Sequence, residues 1–118
     1  MTSLQIFDLH NLPQPVESRP SAERVMDGDP AFKTWELATV HDRKIRSGVW
    51  EASPGSYRSV KGGVFEYCTI LSGLVELTED GCDPVILGPG ATFVMQPDFV
   101  GSWRTIETVR KLWVTVSP

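Results

Sequence analysis

Glu66-Tyr67-Cys68-Thr69-Ile70-Leu71-Ser72-Gly73 decides how this chain is read. In an extended backbone, side chains alternate between two faces, so Glu66, Cys68 and Ile70 share one face and Tyr67, Thr69 and Leu71 the other. The segment reads as a β-strand with an apolar inner face that also carries a carboxylate. A buried carboxylate must find a partner or stay protonated, because an unpaired charge out of water costs several kcal/mol or more.

Outward from this strand, glycine and proline mark chain reversals at Ser53-Pro54-Gly55, Lys61-Gly62-Gly63, Leu71-Ser72-Gly73, Glu79-Asp80-Gly81, Leu87-Gly88-Pro89-Gly90 and Gln96-Pro97-Asp98. Their spacing of roughly 8 to 10 residues is that of an all-β sandwich or barrel. Val75-Glu76-Leu77-Thr78 and Val85-Ile86-Leu87 flank Asp80-Gly81 as a hairpin does. From Arg110 to Val116 the chain alternates Leu112, Val114 and Val116 with Lys111, Trp113 and Thr115, the pattern of a closing strand. Up to about Pro30 the sequence is polar and proline-bearing, which predicts an extended arm and no long helix. The division expected is an arm over residues 1–35, packed on the barrel or on a partner, and a barrel over residues 36–118.

One core suits 118 residues, and a hydrophobic share of 41% gives no reason to expect bulk disorder. The net charge of −4 argues against a nucleic-acid surface. The short basic run Arg43-Lys44-Ile45-Arg46 reads either as a solvated strand start or as a small anion site. No apolar run approaches the roughly 20 residues a spanning helix needs, and the N-terminus lacks the features of a signal peptide. No membrane partner and a cytoplasmic location are therefore expected. Cys68 and Cys82 read as a strand interior and a turn, so no disulfide is expected.

Glu66 is either a pocket acid, base or anchor for a ligand, or a core carboxylate paired with Lys61, Arg58 or Lys111. Lys111 either works chemically from the barrel mouth or neutralises Glu66 or Glu107. Trp35 should pack the arm onto the barrel, while Trp50, Trp103 and Trp113 either wall a small-molecule pocket or simply fill the core. Cys68 reads as a small buried hydrophobe, because His10 and His41 stand nowhere near it in sequence to activate it.

The stretches from Gly55 to Gly73 and from Gly88 to Pro97 resemble the two sequence motifs of the cupin superfamily. Glu66 and Gly73 keep the spacing of the motif glutamate and its glycine, and Gly90, Pro97 and Ser102 take the places of the second motif's glycine, proline and histidine. Ser47-Gly48-Val49-Trp50, Pro54-Gly55, Ile70-Leu71-Ser72-Gly73, Gly101-Ser102-Trp103-Arg104 and Arg110-Lys111 are similar to a narrower group, the small single-domain cupins related to ureidoglycine aminohydrolase. This resemblance covers roughly residues 36–117. It implies a double-stranded β-helix, the jelly-roll barrel of the cupins. At the metal-binding positions the chain departs from the superfamily. The motif histidines fall on Val60 and Gly62, or on Ser59 and Lys61, and the third on Ser102. Glu66 alone remains, which is too few ligands for Zn, Fe or Ni.

The function expected is a small-molecule-binding cupin without a cofactor or tightly bound metal. Its ligand is a small polar metabolite, the candidate pocket residues are Glu66, Trp50, Lys61, Cys68, Ser102, Trp103 and Lys111, and the assembly is a homodimer. The resemblance leaves open a metal-dependent or metal-free enzyme of the ureidoglycine aminohydrolase type acting on a small nitrogenous metabolite, with no catalytic residue assigned.

Overall fold

A computed structural model describes residues 3–118. Nine strands form one curled sheet: β1 (Val16–Ser18), β2 (Val25–Gly28), β3 (Phe32–Val40), β4 (Ile45–Ala52), β5 (Gly55–Val60), β6 (Phe65–Glu79), β7 (Val85–Leu87), β8 (Thr92–Met95) and β9 (Val100–Val116). Neighbours run β1-β3-β4-β9-β5-β2, and β6 pairs with β9, β7 and β8, all antiparallel. Among the described residues the only helix is a 3₁₀ turn at Ala22–Arg24, and none is long and apolar enough to cross a membrane.

The two longest strands build the barrel. The first part of β9 pairs with β5 and with the end of β6, and its second part pairs with β4 and with the start of β6. Both strands must bend to serve both ends. The bend in β6 falls on Leu71-Ser72-Gly73, where a chain reversal was expected. The strand instead continues through register shifts between Ile70 and Val75, with Gly73 at φ +87°. A positive-φ glycine within a bulge turns the strand's direction without ending its pairing. The closing strand likewise starts ten residues earlier than its sequence pattern suggested. The Val75–Leu77 and Val85–Leu87 hairpin forms as read.

The arm joins the same sheet. β1 extends the β3 edge, β2 extends the β5 edge, and β3 itself runs across residue 36. The Trp35 indole N–H donates to the Pro13 carbonyl at 2.7 Å, and the Arg110 guanidinium lies 4.8 Å from the Trp35 ring. Trp35 thus ties the arm to the outer face of the barrel. The core is built from Ala52, Cys68, Ile70, Val75, Leu77, Met95, Trp103, Val109 and Trp113. Cys68 is buried and Cys82 exposed, both as free thiols. The basic run is a turn and strand start: Arg43 and Arg46 both bind Glu36, whose carboxyl is held below its ordinary value by those two guanidiniums.

Candidate functional site

Strand alternation places Glu66, Cys68 and Ile70 inward, with Tyr67 outward, as the sequence pattern requires. On β9 the inward residues are Trp103, Thr105, Val109, Lys111 and Trp113, so the face that carries a lysine is the buried one. Register sets Trp50 and Ile70 on either side of Lys111. The lysine therefore enters the barrel interior between an indole and the apolar face of β6.

Glu66 has each of its carboxylate oxygens occupied. Lys61 Nζ donates to Oε1 at 2.6 Å, Lys111 Nζ to Oε2 at 2.7 Å, and the Cys68 thiol also donates to Oε2 at 3.1 Å. The Lys111 ammonium further sits 4.5 Å from the Trp50 ring and 4.6 Å from the Trp103 ring, which meet edge to face at 5.3 Å. Desolvated cation–π contacts of this kind are worth about 1–2 kcal/mol each. Glu66 and Lys111 are only 6% and 4% exposed. Burial pushes the Glu66 carboxyl up, but the Lys111 and Lys61 ammoniums outweigh it and hold the group far below the usual carboxylate range. For Lys111, burial favours the neutral amine, and the Glu66 charge overcomes it and holds the group above its ordinary value. Burial pushes the Cys68 thiol up to about 12.

Trp50, Lys61, Glu66 and Lys111 line a cavity of about 210 Å³ with Phe32, Thr34, Arg46, Tyr57, Trp113 and Thr115. Of the residues singled out in the sequence, Trp50, Lys61, Glu66, Lys111 and Trp113 meet at its surface. Cys68 lies beneath Glu66, and Trp103 lies under Lys111 with its indole N–H donated to Thr105 Oγ1 at 3.1 Å. Ser102 alternates with Trp103 on β9, opposite Arg58 and Thr78, and does not line the cavity. Arg58 pairs with Asp80, away from Glu66. Phe32 and Tyr57 escaped the sequence reading: Phe32 sits in the segment read as arm, and its contacts with Trp50 and Tyr57, each 5.0 Å between ring centres, depend on β3 reaching the barrel. Tyr57 is set by its register opposite Trp103 on β9, and no period-two pattern in Gly55–Val60 marks it.

The donor set does not suit a metal. The chain places Lys61 at one of the expected histidine positions, and its ammonium competes with any cation for Glu66. Among the described residues no group of three or more His, Cys, Asp and Glu side chains comes together, and His10 and His41 are both exposed. Glu66 and the two ammoniums are tied to one another, and burial keeps the Cys68 thiol protonated at neutral pH.

A jelly-roll barrel with the motif glutamate on an inner strand and an interior pocket beside it defines a cupin. Within that class the chain belongs to the family of EutQ-like cupin domains, whose sequence profile matches residues 39–113. No curated protein matches the chain. Among solved structures, a Pseudomonas syringae protein of unknown function from the DUF861 family is similar over 90% of this chain, with TM-score 0.79 and 21% identity. The chain spans 45% of that protein's length. The EutQ protein of Clostridium difficile matches 85% of this chain and 80% of its own, with TM-score 0.65 and 16% identity. The cupin domain of Schizosaccharomyces pombe Cnp3 matches 74% of this chain and 61% of its own, with TM-score 0.64 and 18% identity. At these identities the likeness is one of fold.

Proposed function

We propose that this domain binds a small polar metabolite in the cavity beside Glu66 and does so without a transition metal. The observation that carries the reading is the convergence of Trp50, Lys61, Glu66 and Lys111 on one open cavity whose only carboxylate is already neutralised. Lys61 and Lys111 each carry ammonium hydrogens beyond the one given to Glu66, so the groups left to meet a ligand are donors on an aromatic wall. An acceptor-rich molecule, such as a small carboxylic acid, fits that environment. Glu66 itself is a scaffold for the two lysines.

The test is ligand-observed NMR with a panel of small polar acids, on protein purified without chelator and again after chelator treatment. Saturable binding that survives chelation and weakens about tenfold in Lys61→Met is expected, the loss of one charge-assisted hydrogen bond. Binding abolished by chelation, or near-stoichiometric Mn, Fe, Ni or Zn in elemental analysis, would overturn the metal-free reading.

We further propose a homodimer in the cytoplasm. Tyr67, Val94 and Val116 lie on the outer face of β6, β8 and β9 and stay 44%, 38% and 38% exposed, which suits a surface covered by a second copy. Two free thiols suit a reducing compartment. Light scattering at micromolar concentration should give twice the 13.1 kDa chain mass, and a monomeric mass would refute the dimer.

A further inference from the structure

A second cavity, of about 400 Å³, opens on another part of the barrel and shares no lining residue with the first. Trp103 stands between the two, touching Trp50 and Lys111 of the first and Phe93 of the second. β7 and β8 each pair with β6 and, among the described residues, with no other strand, so the sheet ends along them. Beside that free edge the apolar interior reaches solvent: Leu77, Leu87, Phe93, Met95 and Phe99 form the wall. The charged lining residues are all acidic. Glu79, Asp83 and Asp98 stand at the exposed rim, no cation lines the cavity, and among the described residues none of the three forms an ion pair. The neighbouring carboxylates Glu76 and Asp80, by contrast, are paired with Arg104 and Arg58.

We propose that this cavity binds a small organic cation, a protonated amine with an aromatic or hydrocarbon body. The apolar wall removes the body from water. The three unpaired carboxylates favour an ammonium at the mouth and repel a hydrophobic anion of the same shape. The volume lies within the 300–1,000 Å³ range of small-ligand sites. Ligand charge thus distinguishes the two cavities: the first presents donors, the second acceptors.

The experiment follows the methionine methyl signals by NMR, because Met95 lines this cavity while exposed Met26 on β2 serves as an internal control. Phenethylamine is expected to shift the Met95 signal saturably and leave Met26 in place, and 3-phenylpropionate to bind at least about tenfold more weakly. The double substitution Asp83→Asn/Asp98→Asn, at two exposed positions, should weaken the amine about tenfold and bring the two probes together, since two of the three rim charges are then gone. Asp42→Asn, at an exposed carboxylate outside both cavities, should leave amine binding unchanged. Equal affinity for the two probes, or no Met95 shift at about 10 mM amine, overturns the proposal. A Met95 shift that depends on protein concentration alone also overturns it, because a second copy would then fill the cavity.

Discussion

Replacing Lys111 by methionine is expected to lower the unfolding free energy by about 3–5 kcal/mol, the range for removing one partner of a buried ion pair. For a chain of this length that corresponds to a fall of about 10–20 °C in Tm. The substitution removes the ammonium at 2.7 Å from Glu66 Oε2 and its two indole contacts, while Glu66 stays buried with Lys61 and a thiol for company. Methionine fills similar volume, so the loss reports charge and not a hole. Adding Glu66→Gln to the same chain should recover more than half of the loss, because the uncompensated charge is then gone. Urea unfolding of both variants measures this, and a cost below about 1 kcal/mol in the single variant would show that Glu66 does not depend on Lys111.

The pH dependence carries the same information. The Glu66 carboxyl is held below its ordinary 4.5, so its contribution is present above that pH and is lost as the pH falls toward the lower folded value. Lys111 is held above its ordinary 10.5, so its contribution is present below that pH and is lost as the pH rises through the higher folded value. Stability from this pair should therefore be flat between about pH 5 and 10. In Lys111→Met the acid-side loss should become shallower, since burial then opposes ionisation of Glu66 with only Lys61 against it.

Gly73→Ala is expected to cost about 4 kcal/mol or to prevent folding, a loss in the exceptional tail for single substitutions. A Cβ at Gly73 would lie 2.1 Å from the Thr108 carbonyl oxygen and 2.6 Å from the Val109 Cα, both backbone atoms of β9. The φ of +87° adds strain of its own. Relief requires β6 and β9 to move apart at the bend that lets each strand serve both ends of the barrel. Gly81→Ala is the control: φ is +81°, yet nothing lies within 4 Å of the added Cβ, so only the local strain of about 1–2 kcal/mol should appear. Equal losses at the two positions would mean that backbone strain alone, and not the contact with β9, explains Gly73.

Much of the fold was legible because it rests on short-range rules. The inward set of β6, the Val75–Leu87 hairpin and the turns at Gly62, Gly90 and Pro97 follow from period-two patterning and turn chemistry. Leu71-Ser72-Gly73 misled for a physical reason: a positive-φ glycine looks the same in sequence whether it reverses a strand or bends one. The site was legible in part. The inward Glu66 called for a cation, and Lys61 and Lys111 were both candidates. That both bind it at once, one oxygen each, was beyond the sequence.

The one-dimensional pattern alone determined an all-β chain, a carboxylate on an inner face and a cupin motif stripped of its histidines, because each depends on residue type and spacing. Only the tertiary structure decided what stands in place of those histidines. Lys111 reaches Glu66 from 45 residues away through the pairing of β6 with β9, while the pairing of β4 with β9 sets it against Trp50, and Trp103 meets it from β9 itself. Long-range register, which no local pattern encodes, is what converts a motif lacking its imidazoles into a neutralised, aromatic-walled cavity.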